Sequence, residues 1–121
     1  MQTFIAEEIE EYARQHTRAE PELLSNVSAT THEVMDAPDM LTGRLEGRLL
    51  KLLVQIAQPR LVVEVGMFTG YSALSMAEGL PENGKIITCD IDPKARAVAQ
   101  KAFAASPFGS KIEIRMGPAI D

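Results

Sequence analysis

Glu64, Gly66, Gly70, Ser72 and Asp90 are the residues of this chain whose types and spacing could do chemistry. Four lie in the stretch VVEVGMFTGYSALSMA at 62–77, and the fifth closes the run KIITCD at 85–90. A glycine where an apolar run gives way to a helical pattern lets a ligand touch the main chain. The helix that follows offers unpaired N–H groups at its start. An acid at the end of the next apolar run suits ribose hydroxyls. Gly66 to Asp90 is 24 residues, close to the ~20 of nucleotide-binding units. The dinucleotide fingerprint wants glycines at positions one, three and six. Here those positions are Gly66, Phe68 and Tyr71, so only the first fits. Phe68 would crowd a pyrophosphate, and Glu64 repels phosphate but suits a cationic amino group. A ribose, an ammonium and a carboxylate without phosphate describe S-adenosylmethionine. Plainer readings stand beside these. Gly66 and Gly70 also suit a tight turn, Ser72 a helix cap, and Asp90 a cap for the helix that Pro93 opens, where Asp92 is the better candidate.

The elements that must position these residues follow from period and punctuation. Residues 3–16 place Phe4, Ile5, Ile9, Tyr12 and Ala13 at helical spacing, with Glu7, Glu8, Glu10 and Glu11 on the wet face. Pro21 suits the first turn of a second helix, with Ala19 or Glu20 near its cap. DAPDM at 36–40 reads as a loop, because Pro38 disfavours helix at Ala37. A third helix over about 42–57, which Asp39 or Thr42 could cap, ends at Pro59. The run LVVEV at 61–65 suits a strand covered on both faces. A helix over 70–80 turns Leu74, Met76, Ala77 and Leu80 inward, and PENG at 81–84 is a turn. A strand at 85–90, a helix from Pro93 to about residue 105 and a strand at 111–116 complete the order. Strand–helix alternation implies a parallel sheet with right-handed crossovers. The fold class is therefore α/β: N-terminal helices (1–58), then a β-α-β-α-β half of a doubly wound, Rossmann-like sheet (59–121), in one domain. Strand order 3-2-1 leaves the first strand at an edge.

Bulk properties exclude several classes. Net charge is −5, which disfavours nucleic acid as a partner. Residues 1–40 carry nine acids and two bases, while residues 41–121 carry eight acids and ten bases. No apolar run approaches the ~20 residues of a membrane span. The acidic start MQTFIAEEIEEY is unlike a signal peptide. The one cysteine, Cys89, has no disulfide partner within the chain and reads as a buried strand thiol. A cytoplasmic setting follows. Asp36 and Asp39 read as a solvated loop, and His16 and His32 as surface or inter-helix residues. Tyr71 has two readings, beneath the cofactor or in the core.

E-V-G-x-F-T-G-Y-S-x-L at 64–74 resembles the first motif of the small O-methyltransferases of the catechol and caffeoyl-CoA type. Further pieces agree in order: Met40-Leu-Thr42 with Glu46-Gly47, L-P-E-N-G-K-I-I-T at 80–88, C-D-I-D-P at 89–93 and G-P-A at 117–119. The likeness covers roughly residues 20–121, and Gly47-Arg48-Leu49 departs from the family's Gly-Gln-Phe. The resemblance implies that Met40 and Thr42 contact the methionine end of S-adenosylmethionine, with Glu64 near its amino group. It implies that Gly66 and Met67 offer backbone, that Gly70 and Tyr71 border the cofactor, and that Ser72 bonds its carboxylate. It assigns Asp90 to the ribose in the segment that holds Ile91, and Ala119 to adenine through its backbone N–H. The family's divalent, Mg-like metal is held by acids and an amide beyond the fourth and fifth strands, so a metal is expected only in a complete enzyme. The chain is expected to be the N-terminal, cofactor-binding part of a longer methyltransferase acting on a small hydroxylated, phenolic or catechol-like acceptor. By itself it should be inactive, and a homodimer is expected. The alternatives are a non-catalytic cofactor-binding or self-associating module, and a nicotinamide-dependent oxidoreductase domain, which Phe68 and Glu64 disfavour.

Overall fold

In the computed structural model, which describes residues 4–121, three helices precede a three-stranded sheet. They are α1 (Glu7–Gln15), α2 (Glu22–Val34) and α3 (Arg44–Ala57). Then come β1 (Leu61–Val65), α4 (Tyr71–Ala77), β2 (Lys85–Asp90), α5 (Pro93–Ala105) and β3 (Ile112–Met116). The first helix expected from residue 3 begins at Glu7, and Thr3 lies outside the described residues. Pro38–Met40 is a short 3-10 turn where a loop is expected. Pro21 stands just before α2, and neither Glu20 nor Ala19 caps it. Gly43, with no side-chain cap, precedes α3 in place of Asp39 or Thr42. Asp92 caps α5 by accepting from Lys94 N–H at 2.8 Å, with Pro93 in the first turn.

The sheet is parallel throughout, in the order β1-β2-β3. Val63 lies opposite Ile87, and Ile87 opposite Glu113. With strands added in sequence and crossovers of one hand, both α4 and α5 must pass over the same face. That face is the core. Val62, Ile86 and Ile112 pack with Val54, Met76, Ala77 and Leu80. Leu24 and Val27 of α2 join Met67, Tyr71, Leu74 and Phe103 beside Ile114 and Met116. Ile86 is fully buried, a burial that contributes about 1.5–3 kcal/mol.

The expectation that β1 is covered on both faces is corrected. Val63 and Val65 are 62% and 74% exposed, because nothing among the described residues packs on the second face. Cys89 shares that face with Val65 in the ladder and is half-buried, not the buried thiol expected. No helix among the described residues is long and apolar enough to cross a membrane.

Candidate functional site

The site lies where the parallel strands end. Gly66 follows β1 with φ +95° and lies exposed. A Cβ added there would meet nothing within 4 Å. Its α-carbon faces a cavity of about 220 Å³ lined by Val65, Gly66, Asp90, Ile91, Gly117 and Ala119, with Cys89. A second, smaller recess of about 40 Å³ also borders Gly66 and reaches Met40, Thr42, Phe68 and Ser72. The two share Gly66, so the residues expected around adenine and ribose and those expected around the methionine end flank one stretch of backbone.

Asp90 organises that stretch. Its Oδ2 accepts from Phe68 N–H at 2.8 Å. Its Oδ1 accepts from Ile91 N–H at 2.7 Å and Asp92 N–H at 2.9 Å. Asp90 is therefore a brace for two loops at once: the one after β1 and the one after β2. The brace holds Phe68 at φ +50°, a conformation that costs a non-glycine residue about 1 kcal/mol or more. The Asp90 carbonyl accepts from Gly117 N–H at 2.9 Å, which ties the third loop to the same residue.

Glu64 lies on the core face of β1, on the side toward α4. It accepts from Ser72 Oγ, and from Thr88 Oγ1 at 2.7 Å. Burial pushes its carboxyl above the ordinary range, against the two hydroxyl bonds, and the Asp90 charge adds to the rise. The start of α4 and the strands β1 and β2 thus hold a desolvated acid with hydroxyl donors and, among the described residues, no cation paired with it. This is an arrangement that gains from a positively charged ligand.

The expected site residues divide. Met40, Thr42, Gly66, Tyr71, Ser72, Asp90, Ile91 and Ala119 border the two recesses, and Glu64 stands behind Ser72. Met67 also reaches the smaller recess, but its N–H is already committed within the chain. Its N–H donates to Cys89 O at 3.1 Å and its carbonyl accepts from Gly70 N–H at 3.1 Å. Gly66 N–H is likewise spent on Cys89 O, at 2.8 Å. Ser72 directs its hydroxyl proton at Glu64, not at open space. Gly70 borders neither recess. With φ +94°, its α-carbon is packed against Phe103, where an added Cβ would lie 2.6 Å from the ring. What approaches Gly70 so closely is the chain's own α5. Tyr71 is 2% exposed, and its hydroxyl donates to Glu20 of the segment before α2. Burial, then that carboxylate, pushes the phenol well above its ordinary value.

Two contributors were not anticipated. Thr88 faces Glu64 because Glu64 and Thr88 are partners in the ladder; its place two residues before Asp90 on the same strand face was the available signal. Thr69 is buried and pairs with Thr31 Oγ1 at 2.8 Å. Since Thr31 donates to Val27 O at 2.6 Å, Thr69 is the donor in that pair. No local pattern announces this bond, which pins the glycine loop to α2. Gly117, in the expected G-P-A segment, stands at φ +117° and lines the larger cavity. Among the described residues no three His, Cys, Asp or Glu side chains come together to hold a metal. The described residues therefore offer no donor set that fits the divalent cation.

A family model described as O-methyltransferase matches residues 14–121. A catechol O-methyltransferase of Niastella koreensis is 40% identical over 95 residues, covering 77% of this chain and 43% of the relative. Caffeoyl-CoA O-methyltransferase 2 of Petunia hybrida is 35% identical over 81 residues, covering 67% of this chain and 34% of its own length. Among solved structures, the O-methyltransferase TomG of Streptomyces achromogenes, in complex with S-adenosylmethionine, superposes with a TM-score of 0.85. It is 30% identical, and the match covers 94% of this chain and 51% of TomG. The chain spans a third to a half of the length of these curated relatives. The family model spans nearly the whole chain, and the chain belongs to the O-methyltransferase family.

Proposed function

We propose that this chain forms the S-adenosylmethionine-binding part of an O-methyltransferase whose acceptor is a small hydroxylated molecule, phenolic or catechol-like. One observation carries the reading: the open backbone at Gly66 borders one recess with the braced Asp90 and another with Ser72, whose hydroxyl is bonded to the desolvated Glu64. TomG holds S-adenosylmethionine and the Bacillus cereus O-methyltransferase holds S-adenosylhomocysteine, each on a fold that this chain matches over 94% of its length. When bound, the cofactor supplies an electrophilic methyl carbon on a sulfonium. The chain's own residues bind and orient. Asp90 takes the ribose hydroxyls on lone pairs left beside its three backbone donors. Glu64 takes the ammonium and thereby regains the charge partner that burial denies it. Gly66 lets the ligand lie against the main chain, Ile91 and Ala119 flank the adenine, and Met40 and Thr42 close over the methionine end. Catalysis of this kind depends on positioning more than on a chemical group of the protein. The lone thiol Cys89 and the acidic balance fit a reducing cytoplasm and a small-molecule partner, with neither nucleic acid nor membrane.

Calorimetric titration of the chain with S-adenosylhomocysteine tests the reading, with NADH as control ligand and Asp90→Ala and Glu64→Gln as control variants. Binding that weakens tenfold or more in both variants supports it. Binding of NADH in its place, or of neither ligand by the folded chain, overturns it.

A further inference from the structure

Glu20 borders neither of the two recesses at the strand ends, yet it reaches them through one side chain. Tyr71 opens α4 and walls the smaller recess beside Ser72. Its ring is buried against α3, where a Cβ added at Gly47 would lie 2.9 Å from Cε1. Apolar packing holds such a ring but has no direction. A hydrogen bond has one, and the Tyr71 hydroxyl gives its proton to the carboxylate of Glu20, 51 positions earlier. α4 has only 7 residues, and a helix below about 12–15 residues depends on its tertiary contacts. The lie of its first turn, and of Ser72 with it, is therefore set by what holds Thr69, Gly70 and Tyr71. Thr31 and Phe103 hold the first two.

The segment before α2 is laid down so as to deliver that acid. Arg44 donates to the carbonyls of Arg14 and Thr17 at 2.9 Å each. Arg48, one turn further along α3, donates to Ala19 O at 2.7 Å. Glu20 is the next residue, and Pro21 follows at φ −59°, just ahead of α2. Both arginines border the same small hollow as Glu20. An acid that served only to pair with a base would turn to one of them. Among the described residues no salt bridge joins it to either, and its carboxylate accepts from the phenol instead. Lys51, the third base of that hollow, is paired with Glu78 at 3.1 Å.

We propose, resting on the cofactor site proposed above, that Glu20 is a positioning residue: through the Tyr71 hydroxyl it fixes the first turn of α4, so that Ser72 and Glu64 are set for the methionine end of S-adenosylmethionine. The effect is one-sided. Asp90, Ile91 and Ala119 border the other cavity, and Asp90 is held by the N–H groups of Phe68, Ile91 and Asp92. None of these bonds passes through Glu20 or Tyr71, so the adenosine end does not depend on the pair.

Calorimetric titrations with S-adenosylhomocysteine and with 5′-methylthioadenosine, which lacks the amino-acid end, test the proposal beside urea unfolding of each variant. Folded Glu20→Ala and Tyr71→Phe should each bind S-adenosylhomocysteine about tenfold more weakly or worse, and 5′-methylthioadenosine within about twofold of wild type. Tyr71→Phe keeps the buried ring and so carries the test even where Glu20→Ala loosens the fold. The double variant should bind no worse than either single one, as expected of one shared contact. Glu20→Gln, whose amide oxygen still accepts from the phenol, should restore S-adenosylhomocysteine affinity. Wild-type affinity for S-adenosylhomocysteine in folded Tyr71→Phe, an equal loss for both ligands, or no recovery in Glu20→Gln overturns the proposal and leaves the cofactor reading standing. A wild-type chain that binds neither ligand overturns both.

Discussion

Replacing each of the two glycines of the loop by alanine separates a glycine that serves a ligand from one that serves the fold. Both stand at strongly positive φ, +95° for Gly66 and +94° for Gly70. An alanine at either position carries a backbone strain of about 1–2 kcal/mol. At Gly66 the new methyl meets nothing within 4 Å, so the strain is the whole cost. At Gly70 it would lie 2.6 Å from Phe103 Cε1, 2.9 Å from Cζ and 3.3 Å from Ala99 Cβ. Phe103 is itself buried among α2, α4 and α5 and has little room to retreat. Overpacking of this kind costs about 1–3 kcal/mol more. Gly66→Ala should therefore lower unfolding free energy by about 1–2 kcal/mol, and Gly70→Ala by about 2–5 kcal/mol. Urea unfolding followed by circular dichroism measures both. S-adenosylhomocysteine titration of the folded variants supplies the second axis. There the order should invert: Gly66→Ala loses affinity tenfold or more, while folded Gly70→Ala binds within a few-fold of wild type. Equal destabilisation by the two substitutions, or a larger loss of affinity in Gly70→Ala, would refute the assignment.

Three further outcomes follow from the same contacts. Burial raises the Glu64 carboxyl, so the folded chain holds a proton there more tightly than the unfolded one. Stability from this group falls as pH rises from the unfolded value of 4.5 through the raised folded value. Glu64→Gln should flatten that part of the pH–stability profile and raise the melting temperature of the ligand-free chain at neutral pH while weakening cofactor binding; an unchanged profile would count against a desolvated carboxylate. Thr31→Val leaves the buried Thr69 hydroxyl without its acceptor and should cost about 1–3 kcal/mol. The double variant with Thr69→Val should recover part of the loss in a double-mutant cycle of urea unfolding. Asp92→Ala removes the cap on Lys94 N–H and should cost about 1 kcal/mol of stability with no tenfold change in cofactor affinity, which separates it from Asp90→Ala.

Several features were legible in the sequence because they rest on neighbours in the chain. The apolar run 61–65 followed by Gly66, the Asp92–Pro93 start of α5 and the PENG turn are statements about local backbone preference, and the strand and helix order followed from them. The place of the site followed too, since parallel strands with one-handed crossovers bring their carboxyl ends together. The tertiary structure decided what depends on residues far apart. Gly70 reads like Gly66 until Phe103, 33 positions later, is laid against it. Ser72 reads as a ligand contact until Glu64 and Thr88 are brought into register beside it. The LVVEV strand reads as buried because its composition is apolar, but exposure depends on what packs on each face. In this sheet both helical crossovers lie on one side. Local preference acts through the backbone of a few residues and is written in them; packing is set by register and by which surfaces meet, and those are properties of the folded chain alone.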